Sequence, residues 1–428
     1  MSREMKHSGI EWIGEIPKGW KTCYTSSLFH EHKEKNIGLK NTNLLSLSYG
    51  KIKQKDINTN EGLLPQSFET YNVIRKGDIV FRLTDLQNDK RSLRTGLCKE
   101  DGIITSAYVT LRANAEVDSA YFHFLFHSYD ECKVFYGLGD GVRQGMNWAD
   151  VRKLSVILPP LLEQQKIAEY LDKVCGEVDE LVVLQEKMIE ELKAYKQSVI
   201  TEAVTKGLNP NAPMKDSGID WIGEVPEGWR ICRLKFFCKY IKDGTHFSPT
   251  TVSEGYPYIT ATDVRGVGID YSCAKRITRE TFLDLKKAGC QPHKGDVLLV
   301  KDGATTGRVG MMVDDEECVL LSSVAMLSPN ANILSSFLMY ILMSSFMQSQ
   351  IQLTMAGTAL PRITLSKLVN FFGIFPPLSE QQAIASYLDS KCSEIDSLIA
   401  IKQQKIEELK DYKKSVIYEY VTGKKEVV

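Results

Sequence analysis

Met5-Lys6-His7-Ser8-Gly9-Ile10-Glu11-Trp12-Ile13-Gly14-Glu15-Ile16-Pro17-Lys18-Gly19-Trp20 returns farther along the chain as Met214-Lys215-Asp216-Ser217-Gly218-Ile219-Asp220-Trp221-Ile222-Gly223-Glu224-Val225-Pro226-Glu227-Gly228-Trp229. So long a run does not recur by chance, and an internal repeat decides architecture before any single motif does. A second block repeats as well. Leu158-Pro159-Pro160-Leu161, with Glu163-Gln164-Gln165, Ile167-Ala168 and Tyr170-Leu171-Asp172, returns as Phe375-Pro376-Pro377-Leu378, with Glu380-Gln381-Gln382, Ile384-Ala385 and Tyr387-Leu388-Asp389. Ile189-Glu190-Glu191-Leu192-Lys193 and Ser198-Val199-Ile200 return as Ile406-Glu407-Glu408-Leu409-Lys410 and Ser415-Val416-Ile417. The chain is a tandem duplication. Between Trp20 and Pro159, and between Trp229 and Pro376, the two copies show little alignable similarity and differ in length by about eight residues. The scaffold is duplicated while what it carries has diverged.

Each half ends in a pattern that predicts one long helix. Pro159-Pro160 cannot lie inside a helix. After it, Leu171, Val174, Val178, Leu181, Met188, Leu192, Tyr195 and Val199 recur with the alternating spacing of three and four of a coiled-coil seam, interrupted by Gln185. The second copy offers Leu388, Ile395, Leu398, Leu409, Tyr412 and Val416, with Lys402 and Lys405 among them. Ser379 with Gln382 predicts a capping box, a weaker cap is expected where Leu162 replaces the serine, and Gly207 and Gly423 are suited to end the helices. Some 40 residues at about 1.5 Å rise make a rod of roughly 60 Å, which reads as a spacer. Leu208-Asn209-Pro210-Asn211-Ala212-Pro213 is a linker. The diverged blocks read as mixed α/β, with strands starting at Gly77-Asp78-Ile79 and Gly295-Asp296-Val297 and short buried helices at Tyr121 to Phe126 and Phe337 to Leu342.

Composition narrows the class. The chain has 428 residues, 53 Lys+Arg against 54 Asp+Glu, 43% hydrophobic and 25% charged, an ordinary globular balance for two or more domains. The apolar run at Phe337 is far shorter than the roughly 20 residues that span a bilayer, so no membrane association is expected. Met1 to Lys6 lack the apolar core of an export signal, so a cytoplasmic chain is expected. Ten cysteines without a framework spacing read as reduced thiols. His123 and His127 would share a helix face but have no third ligand nearby, and they read as flanking an apolar face rather than holding metal.

Searches for catalysis return nothing. The two Pro-Pro pairs lack the acidic or amide residue and the aromatic that a base methyltransferase places around them. Gly137-Leu138-Gly139-Asp140-Gly141 has no strand before it and no long helix after it, and Gly303-Ala304-Thr305-Thr306-Gly307-Arg308 lacks the Lys-Ser/Thr ending of a phosphate loop. Glu191-Leu192-Lys193 and Glu408-Leu409-Lys410 imitate a nuclease Glu-x-Lys but fall within the helical repeat. Charge is the remaining signal. The first helix is acidic, while Arg82, Lys90, Arg91 and Arg94 cluster in the first diverged block beside Thr, Asn and Gln. That mixture supplies cations for phosphates and donors for base edges, although a solvated charge run would look the same.

The paired Gly-Ile-x-Trp-Ile-Gly-x-x-Pro-x-Gly-Trp at Gly9 to Trp20 and Gly218 to Trp229 closely resembles the specificity subunit of type I restriction-modification systems. So does the paired Pro-Pro-Leu-x-Glu-Gln-Gln-x-Ile-Ala-x-Tyr-Leu-Asp at Pro159 to Asp172 and Pro376 to Asp389. The resemblance covers essentially the whole chain. It implies two globular target-recognition domains, 1–157 and, with the linker, 208–374, and two long helices, 158–207 and 375–428, packed as an antiparallel coiled coil in a pseudo-twofold tandem repeat. It further implies a subunit without catalysis of its own, each domain reading one half of a bipartite, asymmetric site in double-stranded DNA. Two modification (methyltransferase) subunits would bind S-adenosylmethionine and methylate adenine, and restriction subunits would use ATP and Mg; the chain itself would bind no cofactor. The DNA-contact candidates are Arg82, Thr84, Gln87, Asn88, Lys90, Arg91, Arg94, Arg143 and Gln144 in the first domain, and Asp243, Thr245, His246, Lys301, Thr305, Thr306, Arg308 and Arg362 in the second. Candidates for docking the partner subunits are Glu163, Gln164, Gln165, Tyr170, Glu380, Gln381, Gln382 and Tyr387. Two rival readings remain: a coiled-coil scaffold that binds proteins without DNA specificity, and an enzyme hidden in one diverged block.

Overall fold

The computed structural model describes residues 3–58, 67–84, 86, 93–114, 116–137, 145–219, 221–266, 268–355 and 361–427. They divide into two compact units, Met1–Glu186 with Gln404–Val428, and Lys187–Gln403. Each unit holds one globular domain of mixed α/β structure and a stretch of each long helix.

In the first unit Phe29–Glu31 (β1), Ile79–Phe81 (β2), Thr95–Leu97 (β3) and Val109–Ala113 (β4) form an antiparallel sheet of order β3-β2-β4-β1. The helix Ser119–Glu131 (α1) packs against it, capped by the Asp118 carboxylate, which accepts from Tyr121 N–H at 2.8 Å. The first long helix, Leu161–Lys206 (α2), follows. In the second unit Cys238–Asp243 (β5), Val297–Val300 (β6), Val309–Met311 (β7) and Val324–Pro329 (β8) give the matching order β7-β6-β8-β5, with Ser335–Met343 (α3) packed on it and Leu378–Val421 (α4) as the second long helix. Each domain also has a second, mixed sheet containing one parallel pair, Leu44 beside Ile103 and Tyr258 beside Val319. The diverged blocks are therefore the same fold. What survives in their sequences is the turn before β2 and β6: the Asp78 carboxylate accepts from Arg75 N–H at 2.8 Å and the Asp296 carboxylate from His293 N–H at 2.9 Å. Strand residues such as Ile79, Val80 and Phe81, or Val297, Leu298 and Leu299, are buried and need only be apolar, which erases the alignment.

Both long helices begin at the residue after Pro-Pro. The Pro160 carbonyl accepts from the N–H groups of Glu163 and Gln164 at 2.9 and 3.0 Å, and the Pro377 carbonyl from those of Glu380 and Gln381 at 3.0 Å. The two starts are thus equivalent, against the expectation of a weaker first cap. Ser379 lies inside the helix rather than capping it, and Gln382 bonds Ser386 at 3.2 Å instead. Both helices stop at the expected glycines, Gly207 and Gly423, each at positive φ.

Within each unit the helices run antiparallel. In the first, Tyr170 packs on Tyr420 with centroids 4.5 Å apart, and the Lys413 ammonium donates to Asp179 at 2.6 Å. In the second, Lys196 donates to both oxygens of Asp396 at 2.7 Å. By the alignment of the repeats, Lys196 corresponds to Lys413 and Asp179 to Asp396, so one ion pair appears twice. The seam differs from the expected register. Leu181, Tyr195, Leu398 and Tyr412 point outward, 45, 55, 41 and 53% exposed, whereas Ile189, Ile406 and the stems of Lys196 and Lys413 turn inward. A stretch such as Leu181-Val182-Val183-Leu184 satisfies either register, and lysines in a seam look like surface in a pattern search.

Burial alone would raise the Asp179 carboxyl, but hydrogen bonds from Lys413 and Lys51 outweigh it and hold the group below its ordinary value. An acid depressed in the folded state adds stability above its unfolded pKa of about 4, and loses it as pH falls through the depressed value. Asp179→Asn should therefore melt lower than the wild type at pH 7, with the gap closing in melting scans taken progressively below pH ~4. A gap of constant size at every pH would contradict this.

Candidate nucleic-acid interface

In the second domain, the loop after β5 approaches the chain so closely that a side chain cannot fit: a Cβ on Gly244 would fall 1.9 Å from the Leu320 carbonyl oxygen. Thr245 is buried beside it, its N–H donating to Leu320 O at 2.8 Å and its hydroxyl accepting from Phe247 N–H at 3.3 Å. The β6–β7 hairpin closes with Val300 N–H on Arg308 O at 2.8 Å. At its base Lys301, 2% exposed, is held 3.3 Å from Asp243 and 3.1 Å from Asp302. Asp302 in turn meets Arg362 Nε at 3.4 Å, and His246 Nε2 lies 3.4 Å from Asp243. The Thr306 hydroxyl donates to Gly303 O at 2.7 Å, and Ile363 N–H donates to Lys301 O at 2.8 Å.

The structure thus brings three separate segments, Asp243 to His246, Lys301 to Arg308 and Arg362, to one end of the domain. It also sorts the candidates. His246, Arg308 and Arg362 are exposed, and Thr305 and Thr306 are half-buried. Lys301 and Thr245, expected to contact DNA, are corrected: their polar atoms are used inside the protein, and they hold the loops that carry the exposed groups.

The first domain repeats the hairpin with other residues. Arg82 N–H donates to Arg94 O at 2.8 Å, as Val300 does to Arg308, and Met146 N–H donates to Leu83 O at 2.9 Å, as Ile363 does to Lys301. Here too a candidate is corrected. Arg94 is fully buried; its guanidinium donates to Thr84 O at 3.0 Å and its N–H to the Asp130 carboxylate at 2.5 Å. Burial pushes Asp130 up to about 6 against the pull of Arg94 and Lys133. Arg82 is half-buried and Thr84 exposed at the hairpin tip. Gln87, Asn88, Lys90, Arg91, Arg143 and Gln144 lie outside the described residues.

The docking candidates divide similarly. Gln164 and Gln381 are buried and bonded internally, Gln164 to Asp118 N and Pro159 O at 2.9 and 2.8 Å, Gln381 to Leu334 N and Pro376 O at 2.9 Å each. They cannot present a surface, and this too is a correction. Glu163 and Glu380 accept the indole N–H of Trp20 and Trp229, each at 2.9 Å. Tyr170 packs on Tyr420, while Gln165, Gln382 and Tyr387 remain exposed. Outward apolar residues recur in both copies: Leu181 with Leu398 and Tyr195 with Tyr412, which the seam pattern turns inward, and Leu184 with Ile401, which it does not include.

His123 and His127 sit on one face of α1 with ring centroids 6.2 Å apart, and burial pushes them down to about 3 and about 4, which keeps them neutral. Among the described residues, no group of three or more His, Cys, Asp or Glu could hold a metal ion.

Two regions, residues 17–194 and 226–411, match the family model of the type I restriction modification DNA specificity domain. The chain belongs to this family. Each specificity domain begins near one of the repeated tryptophans and runs into the following long helix. The type I restriction enzyme MjaVIII specificity subunit of Methanocaldococcus jannaschii is 28% identical over 329 residues, 76% of this chain and 74% of that protein. The EcoBI specificity subunit of Escherichia coli is 27% identical over 249 residues, 56% and 52% of the two chains. A solved structure from work on complex assembly and conformational transition of the type I R-M system superposes with a TM-score of 0.69 at 19% identity, covering 95% of this chain and 99% of that one, which establishes the shared fold.

Because Lys301 is the buried cation between two carboxylates, Lys301→Met should leave Asp302 only the exposed Arg362 and Asp243 only the exposed His246, and destabilise the second unit by about 3 kcal/mol. Hydrogen exchange would register faster opening of amides within 187–403, with those of the first globular domain unchanged. Equal protection in wild type and variant would contradict the assignment.

Proposed function

We propose that this chain is the sequence-reading subunit of a type I restriction-modification complex, each domain reading one half of a bipartite, asymmetric DNA site. The observation that carries the reading is the duplicated hairpin. Equivalent backbone hydrogen bonds close it in both domains, yet the side chains at its tip differ, so a common frame presents two different sets of contacts. Arg308 and Arg362, together with His246 beside Asp243, supply phosphate contacts and base-edge donors in the second domain. Arg82 and Thr84 mark the corresponding end of the first, and the candidates from Gln87 to Arg91, with Arg143 and Gln144, belong to the same reader.

On this reading the chain performs no catalysis. Two modification subunits dock on the long helices, where the outward apolar residues recur, bind S-adenosylmethionine and methylate adenine. Restriction subunits supply ATP- and Mg-dependent cleavage, and the assembly works in the cytoplasm. No helix among the described residues is long and apolar enough to cross a membrane.

The test is DNA binding by the chain with its modification subunit. Arg308→Ala and Arg362→Ala should each weaken binding about tenfold, reduce the salt slope by about 1 and relax discrimination at one half-site alone. Equal loss at both half-sites would contradict two modular readers, and salt-insensitive association would favour the protein-binding scaffold.

A further inference from the structure

The surroundings of the repeated tryptophan differ between the halves above all in what sits on the glutamate. In the first unit the Arg3 guanidinium pairs with the Glu163 carboxylate that accepts the Trp20 indole, and it lies 5.8 Å over the Trp20 ring. Lys18 bonds Glu4 at 2.7 Å, and Lys166 stands on the next turn of α2. The alignment of the repeats puts Ala212 in the place of Arg3, Pro213 in that of Glu4, Glu227 in that of Lys18 and Ala383 in that of Lys166. Three basic side chains are replaced by two alanines and an acid.

The second unit keeps the receptor and lacks the occupant. Trp229 still donates to Glu380, but Glu380 is exposed, whereas the Glu163 side chain is only 21% exposed beneath Arg3. An open cleft of about 370 Å³ lies there, bordered by Ala212, Pro226, Glu227, Trp229, Glu380 and Ala383. Lys215 contributes a cation nearby, with its ammonium on the backbone carbonyls of Glu227 and Trp229 at 2.5 and 2.8 Å.

We propose that this cleft receives a guanidinium group, an arginine side chain presented by a partner protein, which makes to the exposed Glu380 carboxylate the ion pair that Arg3 makes to Glu163, while the Trp229 indole stays buried behind it. A carboxylate that already accepts the Trp229 N–H on one oxygen and is open to the cleft suits a planar, forked donor better than a compact ammonium. Glu227 adds a second negative charge where the first unit has Lys18, which favours a cation arriving from outside. The inference rests on the proposed function only in taking a docked protein as the source of the arginine.

The experiment labels the full chain with 5-fluorotryptophan and titrates it with N-acetyl-arginine amide at constant ionic strength. A saturable shift of the Trp229 resonance, with the lysine analogue at least fivefold weaker, is expected. Ala212→Arg, which fills the cleft from within, and Glu380→Gln should each abolish the shift while the other tryptophan resonances keep their folded positions. Arg3→Ala should create a second responsive signal at Trp20. No saturable shift at Trp229, or a shift retained in Ala212→Arg, overturns the site. In a second arm, Ala212→Arg should weaken binding of one modification subunit at least tenfold; unchanged binding of both overturns its role in docking. A wild-type chain that binds no modification subunit would contradict the function reading instead, and the tryptophan titration decides on the cleft regardless.

Discussion

The hydrogen bond from a buried indole to a glutamate in the first turn of a long helix organises each half of the molecule. Trp20 and Trp229 would each leave a donor unsatisfied without Glu163 and Glu380, and a carboxylate in that first turn also meets the positive end of the helix dipole. The same indoles pack on the glycines that end the long helices. A Cβ on Gly423 would lie 2.8 Å from Trp20, and one on Gly207 3.1 Å from Trp229. In each unit one cluster therefore joins the repeated N-terminal motif, the start of one long helix and the end of the other. All of these constraints fall on repeated residues, which leaves the globular domains free to diverge.

That freedom is visible in how each domain secures its hairpin. Both bury a cation there, by different means. The first buries the Arg94 guanidinium, at the far side of the hairpin, on the Thr84 carbonyl; the second buries the Lys301 ammonium, at the near side, against Asp243 from β5. The backbone geometry is common and the buried polar chemistry is not. A frame that tolerates such exchange in its interior tolerates still more at its exposed tips, where the proposed DNA contacts lie.

Much of this architecture was legible in the sequence. The duplication, the helix starts after Pro-Pro, the glycine stops and the buried helices at Tyr121 and Phe337 all follow from residues whose chemistry admits few alternatives. Three features were not legible. The seam register was ambiguous because consecutive apolar residues serve either face and the inward Lys196 and Lys413 carry charges. Gln164 and Gln381 invited a docking role because they repeat, yet repetition also follows from an internal bond that both copies need. Arg94 and Lys301 looked like surface cations, since burial of a charge depends on folded partners that a pattern search does not see, the Thr84 carbonyl for Arg94 and the distant Asp243 for Lys301. Arg308 and Arg362 are exposed, as a basic residue in a polar loop suggests, although each also makes one internal contact, with the Val264 carbonyl and with Asp302.

The central claim is that one chain carries two independent readers on a duplicated scaffold. Single-molecule methylation sequencing of genomic DNA from cells expressing this chain with its modification subunit, against the modification subunit alone, tests it most directly. The account predicts a new adenine-methylated motif of two dissimilar half-sites separated by an unspecified gap. A continuous or palindromic motif, or no new motif with both proteins expressed and associated, would contradict it.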